Sequence, residues 1–100
     1  MRFGFSGAIW YWRGPSPYHF VAVPEAESVE IRAVAPIVSY GWGVIPVRVR
    51  IGATTFDTSL FPRDGRYLVP VKDVVREAEG LSRGDVVNVE LAIRSDRLAP

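Results

Sequence analysis

The chain has no cysteine, one histidine, one methionine and a single lysine. Without thiols there is no disulfide framework, no thiolate metal site and no cysteine nucleophile. One imidazole cannot build a zinc centre by itself, and nothing in the sequence implies a cofactor. No run reaches the roughly 18 apolar residues that a membrane-crossing helix needs. Neither sign of charge is in excess, with 12 Lys and Arg against 11 Asp and Glu and a net charge of +1. Composition therefore makes no case for a dedicated nucleic-acid binder. Internal repeats and low-complexity segments are also missing. What is present is apolar residue, 48% of 100 positions, which excludes disorder. A chain of this length makes one domain and buries about 60–65% of the surface its unfolded form exposes. The domain is expected over residues 1–96, with 97–100 as a frayed tail.

Arg2 precedes the apolar run Phe3–Trp12, a weak match to a secretory leader. Gly4, Ser6 and Gly7 interrupt that run, and the one Ala-x-Ala, Ala33–Ala35, lies far downstream. The expectation is a cytoplasmic protein. Eleven of the twelve basic residues are Arg, which reads as a compositional bias.

Phe3, Phe5, Gly7, Ile9 and Tyr11 alternate with Gly4, Ser6, Ala8, Trp10 and Trp12, the period of a strand. Arg13–Pro17 holds two prolines and a glycine and must turn. Tyr18–Val23 follows as a second strand, in a hairpin with the first. Pro24, Glu25 and Glu27 suit the start of a helix. Val29, Ile31, Ala33 and Val34 supply its packing side, and Pro36 is expected to stop it near Val34.

A third strand, Val44–Ile51, points Val47, Val49 and Ile51 one way and Arg48 and Arg50 the other. Gly52-Ala53 turns it into Thr54–Leu60, and Pro62–Gly65 turns that into Arg66–Val69. Val71, Val74, Val75 and Ala78 mark a helix over 71–79. Gly80 fits a left-handed C-cap with Leu81 folding back on it. Val86–Ile93 closes the series. Six strands and two short helices predict a mainly β fold, a small closed or nearly closed six-stranded barrel, since closure removes edges.

The runs Ser59-Leu60-Phe61-Pro62, Asp64-Gly65-Arg66-Tyr67, Tyr67–Arg76, Gly80-Leu81 and Gly84–Val89 are distinctive together. The strand–helix–Gly-Asp–strand part is similar to cradle-loop barrels, including AbrB-like swapped-hairpin transcription factors. Over residues 3–93 the chain resembles the domain-of-unknown-function family nineteen-oh-five. That resemblance implies a small barrel. In that family the domain also occurs in front of a bacteriocin-protection (OmpD-associated) domain. The resemblance carries no activity and no catalytic residues.

Candidate sites have two readings each. Gly84-Asp85 is foremost a structural turn, Gly for positive φ and Asp for accepting backbone N–H groups. Gly80 and Pro62 belong with it as structural positions. His19, Asp57 and Ser59 contain the residue types of a hydrolytic triad, but Ser59 has no Gly-x-Ser-x-Gly elbow. Trp10, Trp12, Tyr40, Trp42, Phe61 and Tyr67 are either packing or an aromatic surface for a planar ligand or peptide. Segment 39–43 carries most of the ligand reading, because two aromatics stand between glycines. Arg48 and Arg50, with Arg63 and Arg66, form a solvated face paired with Asp57 and Asp64, or a phosphate patch.

The leading expectation is a non-enzymatic domain that binds a small ligand or a protein, through Tyr40, Trp42, Trp10, Trp12, Arg48 and Arg50. An AbrB-like dimeric DNA binder is the alternative, and a hydrolase comes third. Oligomeric state, ligand and partner are left open.

Overall fold

Residues 2–12 alternate throughout, yet they serve two ladders. In the computed structural model, which describes residues 1–13, 18–39 and 43–94, β1 (Arg2–Ala8) pairs with the last strand and β2 (Trp10–Trp12) with the next one in sequence. The strand predicted over Phe3–Trp12 thus divides at Ile9, and the described residues form seven strands, not six. The others are β3 (Tyr18–Ala22), β4 (Ile45–Ile51), β5 (Thr54–Arg63), β6 (Arg66–Pro70) and β7 (Val86–Ile93). All pairings are antiparallel, in the order β1-β7-β4-β5-β6-β3-β2. The sheet curls into an open half-barrel whose two end strands are consecutive pieces of chain. Period-two patterning reports which face a side chain takes. It is blind to a change of ladder partner, and this is why the break at Ile9 escaped it.

Ile9 is buried in the core, and its backbone is fully bonded. Its N–H donates to the Asp85 carbonyl at 2.9 Å, and its own carbonyl accepts from Gly84 N–H at 2.7 Å. Gly84 holds φ +94°, the left-handed region that favours glycine. The Asp85 carboxylate accepts Ser82 N–H at 2.8 Å, which fastens the turn. Just before the break, β1 runs close to β3: a Cβ on Gly7 would stand 2.7 Å from Val21 Cγ1.

The inner face carries Val47, Val49, Ile51, Leu60, Val69, Val89 and Leu91, joined by Ile31 and Val75 from the helices. α1 spans Glu25–Val38, four residues past the predicted stop, with Pro36 inside it. Arg32 and Pro36 are both exposed, so the bond that Pro36 cannot donate is lost on the solvent side of the last turn. The helix packs through Ser28, Ile31, Val34, Ala35 and Val38, at helical spacing; Val29 and Ala33 of the predicted packing side are exposed. Ser28, fully buried, donates to the Val23 carbonyl at 3.1 Å and accepts Tyr67 N–H at 3.3 Å, tying α1 to β6.

α2 (Asp73–Glu79) ends on Gly80 in the left-handed conformation, and Leu81 N–H returns to the Arg76 carbonyl at 2.8 Å. Its buried anchor is Val75, whereas Val74 is exposed. β5 also outruns its expected end. It continues through Pro62 to Arg63, and the turn shrinks to Asp64-Gly65, both at positive φ. Beyond Leu60 the strand has lost β4 and keeps only β6 as a neighbour, a place where proline is tolerated. The expected turn at Arg13–Pro17 falls largely, and the expected tail at 97–100 entirely, outside the described residues.

Gly7→Val and Gly84→Val should each destabilise the domain, for different reasons. The first collides with Val21 and forces the core to shift, a cost of about 1–3 kcal/mol. The second has free space around its Cβ and suffers only the backbone strain of positive φ, again of order 1–3 kcal/mol. Urea unfolding measures both; a midpoint equal to the parent's in either variant contradicts the corresponding cause.

Candidate functional site

Ladder register decides which side chains share the outer face. Trp10 lies opposite Phe20 and Trp12 opposite Tyr18; Phe20 lies opposite Pro70, and Phe61 opposite Leu68. These residues therefore project from one side of β2, β3, β6 and β5. Phe20 is the hub. Its ring centroid lies 5.5 Å from those of Trp10 and Tyr18 and 6.4 Å from that of Trp12, in tilted contacts. Phe20, Leu68 and Pro70 are buried, while Trp12, Tyr18 and Phe61 remain 39%, 36% and 45% exposed.

Between them runs an open groove of about 610 Å³, lined by Trp12, Tyr18, Phe20, Phe61, Leu68 and Pro70, with Thr58, Ser59 and Pro62 beside them. Arg63 closes one end. Its guanidinium carbon sits 4.6 Å from the Trp12 ring centroid, a cation–π contact.

The arginines of β4 lie elsewhere. Arg48 Nε and Nη2 reach Asp57 at 2.8 and 3.1 Å, Arg94 reaches the same carboxylate at 3.3 Å, and Arg50 pairs with Glu90. Arg2, Arg48 and Arg50 border a separate hollow of about 590 Å³ over Gly4 and Ala92. Arg63 and Arg66 do not join them. The first lines the aromatic groove, and the second donates to the Val23 carbonyl at 3.0 Å.

The predicted ligand residues thus separate. Trp12 lines the groove and Trp10 supports it from behind Phe20. Arg48 and Arg50 occupy the charged half of the outer face. Tyr40 and Trp42 lie outside the described residues. Gly43, the end of that segment, lies near Pro62, whose Cγ would stand 3.6 Å from a Cβ there. Tyr67, weighed as a surface aromatic, is core, and its hydroxyl is pushed to higher pKa by burial. Pro62 is a strand residue of the groove wall, not a turn residue. Tyr18, Phe20, Leu68 and Arg63 were missed as groove residues. A register aligning Trp10-x-Trp12 with Tyr18-x-Phe20 was the available signal.

The triad residues do not converge. Register parity puts Asp57 and Ser59 on the outer face and His19 on the opposite one, against Tyr11 at 4.8 Å between centroids. Burial, with Arg76 next, holds the His19 pKa below its ordinary value. Among the described residues no three His, Asp or Glu side chains gather as metal ligands, and no helix is long and apolar enough to cross a membrane.

The fold and groove define a small antiparallel β domain, curled around two helices, with an exposed aromatic groove on its outside. The chain belongs to the family described as Domain of unknown function (DUF1905), whose model matches residues 5–91. Comparison with curated proteins finds no match.

Asp57 is held below the usual carboxylate range, first by its hydrogen bond from Arg48 and then by the Arg48, Arg94 and Lys72 charges, against an opposing push from partial burial. On acidification the unfolded chain takes up this proton at the ordinary value of 3.8, and the folded chain only at lower pH. The stabilisation is complete above the unfolded value and is lost as pH falls through the folded one. In Arg48→Ala the Asp57 carboxyl resonance should titrate nearer its ordinary value and the acid-side loss of stability should become shallower. An unshifted NMR titration midpoint would contradict this.

Proposed function

We propose that the domain is a non-catalytic binding module and that the aromatic groove is its site. One observation carries this reading. Three large rings, Trp12, Tyr18 and Phe61, stay more than a third exposed around a concavity whose floor is apolar. Clustered exposed apolar surface of this kind marks binding sites, because it is stabilising only when covered. The size, near 610 Å³, falls within the range of small-molecule sites. A non-catalytic role is supported by the dispersal of His19, Asp57 and Ser59 over two faces.

The test uses an uncharged probe, naphthalen-2-ylmethanol, titrated into labelled protein by NMR. Saturable one-to-one shifts are expected at the Trp12 indole and the Leu68 methyl groups. Phe61→Ser should weaken that binding at least five-fold while costing under about 1 kcal/mol of stability, as for other exposed substitutions. Shifts scattered evenly over the chain, or binding unchanged in Phe61→Ser, would end the groove reading.

The DNA-binding alternative draws little support from Arg48 and Arg50, because Asp57 and Glu90 already engage them. Duplex DNA should bind only in the non-specific range, with Kd of about 10⁻⁴–10⁻⁶ M at physiological salt. Nanomolar, sequence-dependent binding abolished by Arg48→Ala and Arg50→Ala would reverse the order of the two readings.

A further inference from the structure

The groove is nearly all apolar, and its ionic lining has one sign. Arg63 is the only charged side chain among the described residues that line it, and no Asp or Glu faces it. The nearest carboxylate to Arg63 is that of Asp64, 3.7 Å away, beyond hydrogen-bond distance and 92% exposed at the tip of the hairpin. The Arg63 donors therefore have no protein acceptor among the described residues. The guanidinium is nonetheless positioned, because it rests on the Trp12 ring. A guanidinium held over an aromatic ring still has N–H donors to offer, and its fork can grip a carboxylate through two parallel bonds.

The end of the groove is also locally positive. Arg63 lies directly opposite Arg66 across the β5–β6 pair, and like charges in that relation repel. Arg32 reaches the Gly65 carbonyl at the same tip, so Arg32, Arg63 and Arg66 surround a hollow in which Asp64 is the only acid among the described residues. An anion bound at Arg63 would relieve this repulsion, whereas a cation there would add to it.

We propose that the groove takes a small planar aromatic carboxylic acid, its ring seated on Phe20, Leu68 and Pro70 between Trp12 and Phe61, and its carboxylate held by Arg63. This inference rests on the groove being the binding site and adds the chemical class of its ligand. The other polar side chains that register places on this face of the lining, Tyr18 and Ser59, are neutral and leave the charge preference to Arg63.

The test compares naphthalene-2-carboxylate with naphthalen-2-ylmethanol, which share a ring system and differ in charge, by NMR titration of the whole chain at neutral pH. The carboxylate should bind at least ten-fold more tightly. Arg63→Gln should bring the two probes to equal affinity. Arg83→Gln removes the same charge beside Tyr11, away from the groove, and should alter neither probe. Equal binding of the two probes to the parent, an affinity ratio that survives Arg63→Gln, or a parallel loss of both probes in that variant would each overturn the carboxylate assignment. In the first two cases the groove remains a site. Failure of both probes to shift any groove resonance overturns the site and its ligand class together.

Discussion

Two backbone hydrogen bonds between Ile9 and the Gly84-Asp85 turn hold this architecture. They let one extended segment leave the β7 ladder and enter the β3 ladder without stranding a buried donor or acceptor. A buried backbone group left unpaired is costly, so a strand can change sheets only where another part of the chain completes its bonds. Glycine at 84 takes the required left-handed backbone, and the Asp85 carboxylate fixes the loop that presents it. Gly7, one turn of pleat earlier, allows β1 and β3 to come close enough for the transfer. Without that junction β1 and β2 would be unrelated edges.

The junction also shapes the outer surface. Because β2 departs from β1, Trp10 and Trp12 are carried away from the charged strands and set against Tyr18 and Phe20. The outer face divides accordingly. Around β1, β7 and β4 it is polar, with Arg48–Asp57 and Arg50–Glu90 pairs lying cross-strand. Around β2, β3, β6 and the end of β5 it is aromatic. Exposed ion pairs of this kind add little stability, and their effect here is to give the polar half balanced charge. The aromatic half carries Arg63 in its lining.

Much of the fold was legible along the chain. Period-two patterning located β4 and β7 within a residue, because each has one wet and one dry face, and the turns around them bounded β3 and β6 almost as closely. Gly80 and Leu81 announced the end of α2 because the left-handed cap has a strong residue preference. Pro36 misled, since a proline near an exposed helix end loses a bond that solvent can replace, and α1 ran on to Val38. Pro62 misled for a related reason: it sits where β5 has a single neighbour. The arginine–carboxylate pairing on β4 and β5 was anticipated from spacing, as Arg48 and Asp57 face each other across a two-residue hairpin.

By itself, the sequence determined that this is one mainly antiparallel domain with two short helices, a turn at Gly84-Asp85 and an unusual supply of aromatics. Those properties are local, set by alternation, backbone preference and composition. Only the tertiary structure decided that Trp12, Tyr18, Phe61 and Arg63 share one groove while Tyr67 enters the core. Strands distant in sequence meet through hydrogen-bond register, and a shift of one residue would exchange the two faces. The division of the first strand at Ile9 depends on Asp85 and Gly84, more than seventy residues away. No local pattern near Ile9 encodes such a partner.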